Sequence, residues 1–124
     1  MKVLLSIKPQ FANKIFDGTK LFEFRRTIFK EQVKTVLVYA SSPMQMVIGE
    51  FEIEEILNDT IENLWHQTKL HAGIEKDYFL DYFVDKEKGY AIKIKKTKKY
   101  KIPLSLKKDL NLFPPQSFVY INAN

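Results

Sequence analysis

Met46-Val47-Ile48-Gly49-Glu50-Phe51-Glu52-Ile53-Glu54-Glu55-Ile56 is the segment that sets the fold class. Successive side chains of a strand leave on opposite faces, so Phe51 and Ile53 point one way and Glu50, Glu52 and Glu54 the other. One face suits a core and the other water, the pattern of an antiparallel strand. Gly49, in mid-strand, suits a bulge at a barrel corner. A complementary segment lies downstream. Gly89 opens a strand from Tyr90 to Lys101, with Ala91, Ile92 and Ile94 set against Lys93 and Lys95. Run antiparallel, the two strands put the three glutamates opposite Lys93 and Lys95 on the solvent face. Such pairs contribute only about 0.2–1 kcal/mol each, yet they explain the charge pattern without a ligand.

Working outward, Val3 to Ile7 reads as a short apolar strand. Pro9 suits the first turn of a helix carrying Phe11, Ala12, Ile15 and Phe16, and Gly18 stops it. Lys20 to Arg26 alternates again, with Phe22 and Phe24 on one face and Leu21, Glu23 and Arg25 on the other. Lys34 to Ala40 is β-branched and aromatic, a further strand ending in Ser41-Ser42-Pro43. Asp59 or Thr60 caps a helix bearing Ile61, Leu64 and Trp65, and Gly73 ends that unit. A second helix, about Glu75 to Val84, carries Tyr78, Phe79, Tyr82 and Phe83. Ser105 to Asp109 forms a helical turn, Pro114-Pro115 an extended segment, and Phe118 to Ile121 a last strand. Strands cluster around a helical insertion, so the expected fold is α+β with a mostly antiparallel, curved or barrel-like sheet, residues 1–124 forming one domain.

The chain has 124 residues, 45% of them apolar, a net charge of +5 and no cysteine. That length supports a real core, and the lack of cysteine excludes disulfides and thiolate metal sites. No apolar run approaches the roughly 20 residues of a membrane span, and the N-terminus is too quickly charged for a signal peptide. The expected compartment is the cytoplasm. His66 and His71, five apart, stand about 140° apart around a helix and face no common metal, so neither metal nor cofactor is expected. Positive charge makes nucleic acid a serious partner. It is unevenly placed: six acids and no Lys or Arg lie between Met44 and Thr68, and ten lysines between Lys86 and Lys108. Lysines 96 to 101 are expected beyond the acidic stretch and free to face phosphate.

The polar groups at element ends mark a site. With Phe22 and Phe24 in the core, Glu23 and Arg25 share the other face, Arg25 as a bidentate anchor for phosphate or a base edge, oriented by Glu23. On that reading Arg25 is surface-facing and the fold survives its loss. Lys20 sits at the strand mouth, where burial lowers an amine's pKa toward proton-transfer or nucleophilic work. Ser41 and Ser42 offer free hydroxyls, Gln116 and Ser117 follow two stiff prolines, and Lys8 precedes the first helix. Trp65 and the aromatic stripe of Tyr78, Phe79, Tyr82 and Phe83 are of the kind that stacks bases, but their helical spacing assigns them to the core.

These segments together resemble the ASCH domain family, a branch of the PUA-like superfamily. The resemblance rests on Ser6-Ile7-Lys8-Pro9, Ile15 to Lys20, Glu23-Phe24-Arg25-Arg26, Tyr39 to Pro43, Ile48 to Glu52, Lys88 to Ile92 and Pro114 to Phe118. It implies a small β-barrel with flanking helices, a cleft lined by the Lys20, Glu23 and Arg25 segment, and work on RNA. The expected ligand is RNA or nucleotide-like, bound by Lys8, Lys20, Glu23, Arg25, Arg26, Ser41, Ser42, Gln116 and Ser117. The alternative the family implies is a hydrolase acting on N4-acetylcytidine or on RNA. Lys20 then corresponds to the catalytic lysine and Glu75 to the glutamate, and Glu23 stands where the amidohydrolases have a threonine.

Overall fold

The structure, a computed structural model, describes residues 1–121. Six strands form one sheet: β1 (Lys2–Ile7), β2 (Phe22–Arg25), β3 (Thr35–Ala40), β4 (Met46–Thr60), β5 (Lys88–Leu104) and β6 (Phe118–Ile121), in the order β2-β5-β4-β3-β1-β6. Every ladder is antiparallel except β1 with β3. Helix α1 (Pro9–Phe16) crosses between β1 and β2, and α2 (Ile61–Thr68) and α3 (Lys76–Tyr82) are inserted between β4 and β5. Thr60 caps α2, its hydroxyl accepting from the Asn63 amide at 3.3 Å. Residues 106–110 make one π-type turn, capped by Ser105. Among the described residues no helix is long and apolar enough to cross a membrane.

The core has three parts. Val3, Leu5, Ile15, Val36, Val38, Phe51 and Ile92 pack α1 on one face of the sheet. Phe22, Phe24, Leu64, Phe79 and Phe83 hold α2 and α3 against β2 and β5. Leu4, Leu37, Tyr39, Val47 and Leu106 fill the opposite face. The register shifts around Gly49, where the expected bulge falls. A Cβ at Gly49 would lie 2.6 Å from both the Lys98 carbonyl oxygen and the Phe16 ring, so glycine is what lets α1 seat on β4.

Three expectations are corrected. The sheet curls but does not close into a barrel: β2 and β6, its outer strands, share no ladder. The reason is local. β2 ends after four residues, and Arg26 is drawn away to donate to the Tyr82 and Val84 carbonyls at the end of α3, each at 2.8 Å. Side chains bridge the seam instead. Tyr120 accepts from the Lys30 and Glu31 amides, and the Phe29 and Phe118 rings meet edge-on at 6.0 Å. The β4–β5 pairing is antiparallel as expected, and Lys93 meets Glu54 at 3.0 Å. Lys95, however, falls in an irregularity, and Lys96 and Lys98 stand opposite Glu52 and Glu50, not beyond the acids. Finally, both long strands run further than their alternation, to Thr60 and Leu104, because Leu57, Asn58 and Asp59 continue the ladder with Ala91, Tyr90 and Gly89.

Candidate functional site

The seam between the two sheet edges opens into a cleft of about 480 Å³. Ser6, Ile7 and Lys8 reach it from the end of β1, and Phe11 from α1. Lys20 and residues 23–27 reach it from β2, Ile74, Tyr78 and Tyr82 from the α3 region, and Gln116 and Ser117 from before β6. Of the expected site residues, Lys8, Lys20, Glu23, Arg25, Arg26, Gln116 and Ser117 therefore converge. Ser41, Ser42 and Glu75 do not line it. Ser41 donates its amide to Ile7 and turns away into the β3–β4 connection with Ser42. Glu75 holds the N-cap position of α3 with its side chain exposed, one residue beyond the cleft-lining Ile74.

Lys20 is the most unusual group: its side chain is only 1% exposed. The ammonium donates to the Ala72 carbonyl at 2.7 Å and lies 4.8 Å from the Phe24 ring centroid and 5.5 Å from that of Phe11. Its remaining N–H groups face aromatic rings and the cleft. Burial pulls its pKa from 10.5 down to about 8; Glu23 partly opposes this and Lys14 adds to it. Gly73, at φ +69°, makes the room, since a Cβ there would sit 2.6 Å from the Lys20 Cβ.

Arg25 is held on all sides. One terminal nitrogen donates to Glu23 at 3.2 Å and the Ser6 carbonyl at 3.4 Å. The other donates to the Ser117 carbonyl at 3.2 Å and hydroxyl at 2.6 Å. The Arg25 and Glu23 side chains are 11% and 9% exposed. This ion pair is a buried clamp between the sheet edges, not the surface-facing pair that alternation suggested. Arg26 is likewise occupied at the end of α3. The cleft's less committed cations are Lys8 and Lys20.

Helical spacing assigns all four rings of the α3 stripe to the core, and the structure divides them. Phe79 and Phe83 are buried, while Tyr78 and Tyr82 line the cleft. The signal was there: 78 and 82 are one helical step of four apart, as are 79 and 83, so one helix carries two aromatic faces. The Tyr82 hydroxyl donates to the Phe24 carbonyl at 3.0 Å, and burial raises its pKa, with Arg25 opposing. Tyr78 stays 36% exposed at the mouth, under the Lys8 ammonium at 5.5 Å and edge-on to Phe11. Among the described residues, no three His, Cys, Asp or Glu side chains are placed to share a metal ion.

Residues 5–101 match the ASCH domain. The chain is 31% identical over 120 residues to the large ribosomal subunit protein uL22 of Ureaplasma parvum, covering 96% of this chain but 39% of that protein. It is 30% identical over 124 residues to an ASCH domain-containing ribonuclease of Zymomonas mobilis, covering 97% of this chain and 84% of that one. The crystal structure of ASCH from Zymomonas mobilis superposes with a TM-score of 0.90 at 29% identity, over 98% of this chain and 88% of that chain. The chain thus spans nearly the whole ribonuclease but well under half of the ribosomal relative.

Proposed function

We propose, from the premise that this chain belongs to the ASCH domain family, that it is an RNA- or nucleotide-binding module whose ligand enters the seam cleft. The observation that carries the reading is the pairing of two ammonium groups, Lys8 at the rim and Lys20 at depth, with a half-open aromatic face, Tyr78. Lysines attract phosphate, and an aromatic face takes a base by stacking, worth about 1–3 kcal/mol per base. Lys8 leaves the Tyr78 ring for a phosphate oxygen, and a base replaces it there. Glu23 and Gln116 supply acceptor and donor groups to the base edge. Arg25, with its clamp to Ser117, shapes the floor. The similar ribonuclease of Zymomonas mobilis supports RNA as the ligand class.

Binding of single-stranded RNA and of nucleoside monophosphates, followed by calorimetry or fluorescence anisotropy, tests this. Tyr78→Ala should weaken binding roughly 5- to 150-fold, the range that stacking energies imply, and Lys8→Gln should weaken it further at low salt. Parent-like affinity in both variants would move the site elsewhere.

A ribonuclease is the second reading, favoured by the amine of Lys20, whose pKa burial lowers to about 8 in the cleft that Glu23 also lines. Such a group is poised to take a proton from a 2′-hydroxyl as that oxygen attacks phosphorus, an acid returning a proton to the departing 5′-oxygen. A cleavage assay separates the two. Parent activity rising with pH through about 8 and lost in Lys20→Met makes the chain an enzyme; intact RNA leaves it a binder.

A further inference from the structure

We propose that the overhanging arm of β5 is a second contact for single-stranded RNA, outside the cleft, with the sugar–phosphate backbone lying against Lys99 and Lys101. β2 pairs with β5 only from Tyr90 to Lys93, so among the described residues one side of the β5 backbone has no neighbouring strand from Lys95 to Leu104. Seven lysines lie between positions 95 and 108, and all are exposed.

The two faces of this arm differ. On one, Lys96 and Lys98 stand across from Glu52 and Glu50, and the Tyr100 hydroxyl donates to Glu50 at 2.7 Å. That face carries its own counter-charge. On the other, the partner of Lys99 is Gly49, and Lys101 falls in the irregular stretch before Leu104, alongside Val47 and Ile48. None of these cross-strand neighbours is an acid. Among the described residues, none of the seven lysines lies within 4.0 Å of a carboxylate. Beyond the arm, Phe113 is 77% exposed with the Lys107 ammonium 5.0 Å from its ring centroid. An exposed ring beside cations suits the face of an unpaired base, which favours a single strand over a duplex. Lysines also guard open sheet edges against self-pairing, but edge protection does not require them to lack acids on one face.

The proposal rests on RNA as the ligand class of this chain, and the test separates the two. Affinity for a labelled single-stranded RNA is measured across a salt series for the parent, for Lys99→Gln with Lys101→Gln, and for Lys96→Gln with Lys98→Gln. The two pairs change net charge equally. Each lost phosphate contact removes about 0.7 from the slope of log affinity against log salt for a single strand. The 99/101 pair should therefore lose about 1.4, and the 96/98 pair less than half of that. Equal losses would mean that net charge alone acts, and no loss would mean no contact; either overturns the arm. So does a parent that binds no RNA. Titration with a nucleoside monophosphate, too short to reach the arm, judges the cleft separately in every case. Should the glutamine pair self-associate in light scattering, Lys99→Glu with Lys101→Glu replaces it. Glutamate guards an edge equally well, so a parent-like affinity and salt slope in that variant refute the proposal.

Discussion

Removing Arg25 strands Glu23, a carboxylate 9% exposed, together with the Ser6 and Ser117 carbonyls. Breaking a buried pair from one side costs about 3–5 kcal/mol. Arg25→Ala should therefore lower the urea midpoint by a large fraction, with the slope unchanged. Arg25→Lys, which keeps the charge without the fork, should fall in between. A parent-like midpoint for Arg25→Ala would show that the clamp bears no weight. Lys20 acts in the opposite sense. Its folded pKa of about 8 lies below the unfolded 10.5, so the unfolded chain binds more protons between those values and stability rises with pH. The cost of burying the ammonium is full below about pH 8 and fades toward 10.5. Between pH 7 and 10.5 the parent should gain about 3 kcal/mol relative to Lys20→Met, measured by urea denaturation at each pH; parallel curves would contradict the buried charge. That Glu23, Arg25 and Lys20 belong together was readable from strand alternation and family resemblance. How deep they sit was not, since alternation assigns a face but not what covers it. Here Gly73, α3 and the segment before β6 cover it, all distant in sequence.

Helices and strands were legible where their period was clean. The β4–β5 pairing follows from matched alternation, yet its register slipped, because bulges insert residues that a strict period of two does not count. That slip moved Lys96 and Lys98 from open solvent to positions facing glutamates. The aromatic stripe of α3 is core at Phe79 and Phe83, as expected, while Tyr78 and Tyr82 line the cleft, a division that reading four rings as one face does not make. Gly49 was read correctly as a bulge, and its importance lies in what approaches it. Gly49→Ala should cost roughly 1–3 kcal/mol: the Lys98 carbonyl on one side is backbone and cannot yield, and the Phe16 ring on the other belongs to α1. Thermal or urea unfolding reads the loss, and an alanine variant as stable as the parent would mean that α1 seats elsewhere.

For the molecule as a whole, composition and element order sufficed for a curved, mostly antiparallel α+β sheet. Closure was overcalled. A barrel needs a ladder between its first and last strands, and no local pattern in β2 or β6 reports whether their backbones meet. They do not: the sheet edges are joined by one guanidinium and a few aromatic rings, and the cleft exists because the seam stays open. That way of closing has a consequence in time. Arg25 and Ser117 are 92 residues apart, so a ribosome must deliver five of the six strands before the floor of the cleft can be laid. Domains emerge and fold from their N-terminal side during synthesis, and Glu23, Arg25 and Lys20 are made early and wait. A chain interrupted before Ser117 lacks the partner that finishes the pocket, whatever else it has folded. Completion of the segment leading into β6 thereby finishes the cleft, and a half-made copy has no finished pocket.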